Sequence, residues 1–259
     1  MYKRYGYLIL LVLLQTILLS KDLISITSYG DEFYFFDGFE GILEIYSKDN
    51  ELVRKKDLSN ISMGSTADLF IKYNELNSYL YSSISGMIYL LDENYLLRSS
   101  QDLYKLFDIN FYNKLYPVNY NSLVIATEEL DKFYLLENKK LNEILDLSET
   151  AIDFFLYEDS IFILFKDKVE IYLTNAIYQR SVPFKDIKEP MKIFCCGNGL
   201  YIMHKDGIDR VSIAKNIKDS KKYQTRMVTE TGIQDLAIVE NKIAVIKDNK
   251  ILFRVLSDR

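Results

Sequence analysis

Short apolar runs alternate with tight polar turns along nearly the whole chain. The most apolar run of each group falls at residues 33–36, 79–81, 123–125, 161–164, 200–203 and 243–246. The interval is roughly 38 to 46 residues, and a steady internal period of that size marks a repeat architecture. Runs so short suit strands, because helices need about ten residues or more to cover a core. Each group contains an inner strand, a turn, a strongly apolar second strand, a hairpin, a third strand and a more polar outer strand. The strands are predicted at 23–27, 32–36, 42–46 and 51–56 in the first group, and at 68–73, 78–82, 87–91 and 95–100 in the second, which closes with a helical connector at 101–106. The third and fourth groups take 114–118, 122–127, 132–136, 140–145 and 152–157, 160–165, 168–173, 177–182. The fifth takes 190–195, 199–204, 208–214 and 223–228, and the sixth 233–239, 241–246 and 251–256.

This pattern predicts an all-β fold, a single β-propeller of six blades of about 40 residues each, with five or seven blades as the alternatives. Only Ser257, Asp258 and Arg259 follow the last strand, so the sixth blade is expected to hold three strands unless part of 12–21 adds a fourth. A three-stranded blade leaves the strand at 251–256 with an open edge, a natural docking site for a partner's strand. Hairpins between second and third strands carry turn chemistry in Lys166-Asp167-Lys168, Lys205-Asp206-Gly207 and Lys247-Asp248-Asn249-Lys250. Aspartate with glycine or asparagine supplies the positive φ that tight hairpins require.

Over roughly residues 22–257 the repeat resembles that of extracytoplasmic β-propellers. No subfamily motif matches. Without tryptophan there is no Trp-Asp dipeptide of the WD40 class, and neither the kelch double glycine nor the alanine, tryptophan and glycine positions of quinone-type repeats occur. The resemblance implies a scaffold whose loops at one end of a central channel carry the function.

Composition agrees with a folded β domain. The 259 residues are 49% hydrophobic, with 3 prolines, 10 glycines, 21 tyrosines and 15 phenylalanines. Flat rings suit the pleated surface of strands. The first 20 residues read differently, as Lys3 and Arg4 precede an apolar stretch at 8–19. As a helix that stretch spans only about 18 Å against a hydrocarbon core of roughly 30 Å, which favours a signal peptide over an N-terminal anchor. The propeller domain is then 21–259. Losing Lys3 and Arg4 takes the formal charge of −5 two units further negative. That balance supports neither nucleic acid nor a bulk anionic membrane surface as a partner, and leaves an uncleaved N-terminal segment as the route to a membrane. The expected location is exported: periplasmic, extracellular or membrane-tethered.

Candidate chemistry is sparse. Cys195 and Cys196 are adjacent in a strand, so their side chains should diverge into two blade faces. His204, the single histidine, ends a strand and reads as an ordinary side chain. No metal-ligand spacing, nucleophile elbow or phosphate loop accompanies it, so no cofactor or metal is expected. Between 141 and 165 lie Glu143, Asp146, Glu149, Asp153, Glu158 and Asp159 with no Lys or Arg, spread over a strand, a connection and a turn. Tyr29, Phe39, Tyr112, Tyr120 and Tyr157 sit near strand ends, where they would form a stacking platform if they gathered at one channel mouth.

The strongest interaction candidate is the connection at 214–226, with Lys215, Lys218, Lys221, Lys222 and Arg226 against Asp219 alone. A basic insertion on an acidic protein suits an acidic partner. The functional expectation is a non-catalytic interaction scaffold with a protein partner. A carbohydrate- or small-ligand-binding propeller is the alternative, and a lyase or hydrolase is the less favoured one. Replacing Lys218, Lys221 and Lys222 together by Ala should leave the melting temperature nearly unchanged, because exposed charges add little stability. A large drop in a thermal melt would make the loop structural.

Overall fold

A computed structural model describes residues 24–61, 67–197, 199–213, 224–248 and 250–256. It is almost entirely β, with six small antiparallel sheets arranged in a ring as a six-bladed β-propeller. Blade one holds β1 (Ile24–Tyr29), β2 (Glu32–Asp37), β3 (Ile42–Ser47) and β4 (Leu52–Asp57). Blade two holds β5 (Leu69–Lys72), β6 (Ser78–Ser82), β7 (Met87–Leu91) and β8 (Leu97–Asp102), followed by the one-turn helix α1 (Leu103–Leu106). In blade three come β9 (Phe111–Asn119), β10 (Ser122–Thr127), β11 (Lys132–Glu137) and β12 (Lys140–Asp146), and in blade four β13 (Asp153–Tyr157), β14 (Ser160–Leu164), β15 (Lys168–Leu173) and β16 (Tyr178–Pro183). Blade five has β17 (Pro190–Cys196), β18 (Gly199–His204), β19 (Gly207–Ser212) and β20 (Gln224–Val228). Blade six has three strands, β21 (Ile233–Val239), β22 (Lys242–Lys247) and β23 (Lys250–Val255).

Burial falls from the second strand outward, as the hydrophobic pattern requires. Every residue of β6, β10 and β18 is buried, whereas β4 is exposed at all but one position. A second strand is covered on both faces by the neighbouring blades, so it tolerates no alternation. Outer strands splay apart at the wider rim and stay wet. Gly207 shows how tightly the third and fourth strands approach: its φ is 141°, and a Cβ there would lie 1.9 Å from the Val228 carbonyl oxygen.

The core lies between blades. Tyr34, Phe36 and Phe70 fill the junction of blades one and two, and Tyr79, Tyr81, Leu123 and Ile125 that of two and three. Phe133, Phe154, Ile163 and Phe165 fill the next, with Phe154 meeting Phe133 edge-on at 5.1 Å and Tyr116 at 5.2 Å. Comparable clusters join four to five, five to six and six to one. At the last junction Phe253 of β23 meets Phe33 at 5.7 Å and Tyr46 at 5.7 Å, so the three-stranded blade reaches across to blade one with an aromatic anchor. The stretch at 12–21, an alternative fourth strand, lies outside the described residues, as does the predicted signal segment.

Two boundary differences have local causes. The connector helix is only 103–106, because Gln101 and Asp102 continue the ladder of β8 and Asp102 caps the helix by accepting from the Lys105 N–H. Arg226, where the predicted connection 214–226 overlaps the predicted strand 223–228, lies within β20 opposite Asp209 of β19, a cross-strand charge pair that extends the sheet. Truncating Phe154 to Ala, at a fully buried site with three aromatic neighbours, should cost about 3–5 kcal/mol, read from the urea midpoint at unchanged slope. A loss below about 1 kcal/mol would mean the inter-blade packing is loose.

Candidate functional site

Every inner strand starts at the same end of the ring, here the upper end, which also bears the turns between second and third strands. The lower end carries the turns between first and second strands. Side chains near the start of the inner strands form the upper collar of the channel, and on four successive blades they alternate in charge. Lys114 of β9 sits 2.7 Å from Asp153 of β13, 39 residues on, and Lys192 of β17 sits 3.1 Å from Asp235 of β21, 43 residues on. Each carboxylate also accepts a backbone N–H from the next blade: Asp153 from Ile193 at 2.9 Å, Asp235 from Ile26 at 3.4 Å. On blade one Ser25 does the same, its hydroxyl accepting from Phe70 N–H at 3.2 Å. Asp153 further accepts from the Tyr112 hydroxyl at 3.3 Å, and burial, helped by the Asp153 charge, pushes that phenol well above its ordinary pKa.

Below this collar the channel opens into a cavity of about 280 Å³ that touches the inner strands of all six blades. Tyr116, Phe155 and Phe194 occupy equivalent places on blades three, four and five, with centroids 5.2 Å and 5.8 Å apart, so one side of the cavity is aromatic. Thr27, Ile71 and Ala237 line the other side. Buried Thr27 Oγ1 has no hydrogen-bond partner among the described residues. Lys72 also borders the cavity, bonded to the Glu75 carbonyl at 3.2 Å and lying 5.3 Å over the Tyr95 ring, and burial lowers its pKa. The volume and lining suit a small, largely apolar molecule.

The residues singled out in the sequence are scattered. Cys195 turns into the cluster between blades four and five and Cys196 toward that between five and six, as alternation requires. Burial pushes the Cys195 thiol up to about 12 and raises Cys196 as well, which disfavours the reactive thiolate. His204 is buried. Its Nδ1 accepts from Asp206 N–H at 3.3 Å and its Nε2 lies 3.5 Å from Asp209 Oδ1. Asp209 is itself held by Arg226 Nε and by Gln224 Nε2 at 2.7 Å. Arg226 therefore serves a cross-strand pair inside blade five, while Lys215, Lys218, Lys221 and Lys222 lie outside the described residues.

The acidic positions do not converge. Glu143 and Asp146 face Lys132 at 3.5 Å and 3.4 Å, Glu149 faces Lys168 at 3.6 Å, and Asp153 belongs to the collar. Among the described residues no group of His, Cys, Asp and Glu has metal-site geometry. The aromatic candidates divide between the two ends: Tyr29, Tyr120 and Tyr157 lie at the lower end, Phe39 and Tyr112 at the upper, and of the five only Tyr157 borders the cavity. Sequence reasoning missed the collar. Its signal is the recurrence of Lys114, Asp153, Lys192 and Asp235 at the repeat interval, two residues before Tyr116, Phe155, Phe194 and Ala237.

No family model matches the chain, and no curated protein matches its sequence. Solved structures do share its fold. A streptogramin B lyase superposes with a TM-score of 0.59 at 12% identity, covering 92% of this chain and 84% of that one. Hsv2 of Kluyveromyces lactis gives 0.53 at 10% identity over 86% and 76% of the two chains. BBS1N, solved in complex with ARL6DN, gives 0.52 at 11% over 88% and 75%. At such identities the likeness is one of fold alone.

The collar makes a quantitative expectation. Asp153→Ala should destabilise by about 3–5 kcal/mol, because Lys114 would remain buried and unpaired. The double variant Lys114→Met, Asp153→Asn, which keeps an acceptor for Ile193, should lose clearly less than the sum of its single changes in urea unfolding. Strict additivity would show that the two side chains do not act as a pair.

Proposed function

We propose that this protein is an exported, non-catalytic propeller that serves as a protein-interaction scaffold, using the flank of blades five and six. The observation that carries this reading is the outer edge of β23, which no strand among the described residues covers. Lys247 and Lys250 close a two-residue hairpin, and Leu256 N–H bonds the Asn241 carbonyl at 2.6 Å, so along β23 the amides of Leu252 and Arg254 face β22. Those of Ile251, Phe253 and Val255 then point outward, and Val255 is 65% exposed. Such an edge is a template for an added strand. The basic stretch with Lys215, Lys218, Lys221 and Lys222 connects β19 to β20 on the adjoining blade, where it would steer an acidic partner toward that edge. A propeller solved with a protein bound, as BBS1N is with ARL6DN, supports the use of this fold for such contacts.

Two further points favour a non-catalytic role. The channel carboxylates Asp153 and Asp235 are each engaged by a lysine and a backbone N–H, which commits them to contacts between blades. The single histidine is enclosed within blade five. The basic and apolar segment at 1–20 supports the export part of this reading, with the periplasm, the extracellular space or a membrane surface as its setting. A second reading, a carbohydrate or other small ligand in the channel, is favoured by the aromatic side of the cavity at Tyr116, Phe155 and Phe194.

Placing a photo-crosslinking residue at Val255 in cells should yield a discrete protein adduct, while the same residue at Asp159, on the lower turn of blade four, should not. Adduct formation should fall sharply when Phe253, whose amide faces outward, is replaced by N-methyl-Phe or the edge is otherwise capped. No adduct at Val255, combined with a melting temperature raised by a small sugar or apolar compound, would replace the scaffold with the channel reading.

A further inference from the structure

The upper end carries a second feature, remote from β23. Between blades two and three lies a groove of about 470 Å³ bordered by Ile84 of the β6–β7 turn, Tyr104 of α1, Phe111 and Asn113 of β9, and Glu128 of the β10–β11 turn. Its apolar part is built rather than incidental. Phe111 is buried, and the Tyr104 hydroxyl donates to the Ser83 carbonyl, fixing the ring against the turn. Gly86 makes that contact possible, since a Cβ there would come within 2.7 Å of the ring. At the lip Ile84 is 67% exposed and at the end of α1 Leu106 is 44% exposed, so the groove presents apolar surface to solvent.

Charge around the groove is one-sided. Lys105 is the only cation in the upper turns and links of blades one to three, which carry Glu40, Asp68, Asp108, Glu128, Glu129, Asp131 and Glu149. The corresponding parts of blades four to six are closer to balance, with Lys166, Lys185, Lys188 and Lys205 set against Asp167, Asp186, Glu189, Asp206, Glu230 and Asp248. Glu128, Glu129 and Asp108 are exposed, and among the described residues no ion pair reaches them. Asp68, beside the groove, accepts from Ser83, and burial raises its pKa.

We propose that this groove docks an extended basic segment of a partner protein, one apolar side chain lying against Ile84, Tyr104 and Phe111 while flanking Lys or Arg residues face Glu128, Glu129 and Asp108. Anionic polymers and anionic lipid headgroups are repelled by the same carboxylates. A simple polyamine would leave the apolar lip uncovered. The inference rests on the scaffold reading but on a different surface from β23, so the two can fail separately.

The test uses the full chain and a fluorescent peptide of about twelve residues alternating Lys and Leu, followed by anisotropy between about 50 and 300 mM salt. Binding should weaken with salt and be about tenfold weaker for a Lys/Ser or Glu/Leu peptide. The double change Glu128→Lys, Glu129→Lys should weaken the Lys/Leu peptide by about tenfold or more, and Ile84→Ser should weaken it without any change of charge. The matched reversal Glu158→Lys, Asp159→Lys at the lower end should alter it by less than about twofold. Equal losses from both reversals, or equal binding of Lys/Leu and Lys/Ser peptides, would reduce the effect to bulk charge and overturn the proposal. So would absence of binding, which leaves crosslinking at Val255 untouched.

Discussion

A single blade here is a sheet with two apolar faces, and neither face can be left to water. Both faces of β2, β6, β10, β14, β18 and β22 are buried only because a blade stands on each side. Each buried Leu, Ile or Phe contributes about 1.5–3 kcal/mol, so a missing neighbour would forfeit the burial of a whole face. The chain therefore has to close on itself, and the other features follow from how it does so. Packing supplies the attraction, while the collar fixes the distance between inner strands. Ser25, Asp153 and Asp235 bind the backbone of the following blade, the last of them across the junction between the ends of the described chain.

Among the described residues, closure rests on side chains that reach across the junction of blades six and one. Phe253 inserts toward Phe33, Phe35 and Tyr46, and the lower rim adds Lys242–Asp49 at 2.8 Å and Lys48–Glu240 at 3.5 Å. The exposed ion pairs contribute little individually. Aromatic contacts, at about 0.5–1.5 kcal/mol each beyond their burial, carry more of the junction.

The strand order was legible because burial on both faces produces uninterrupted apolar runs, and turns with Asp, Asn and Gly separate them. Ser78–Ser82, Met87–Leu91, Ser122–Thr127, Lys168–Leu173, Gly199–His204 and Ile233–Val239 coincide with their predicted limits. Outer strands were harder to delimit, since an exposed strand has no hydrophobic signature and its end is set by hydrogen bonds, as where Gln101 and Asp102 stay in β8. The candidate site was much less legible. Asp153 reads in sequence as one of several acids in a polar stretch, and only the ring brings it to Lys114 and Ile193. The groove beside Ile84 depends on α1 and on two turns far apart in sequence, which no local pattern joins.

Blade six gives the ring a seam. Among the described residues β23 is its outermost strand, and the junction of blades six and one is spanned by side-chain contacts and hydrogen bonds, whereas the chain itself crosses every other junction. Like a split washer, such a ring is expected to open first at that junction, with the other five keeping their packing. Any partner that pairs with β23 would close the gap from outside, so occupancy of that edge and rigidity of the whole ring would rise and fall together.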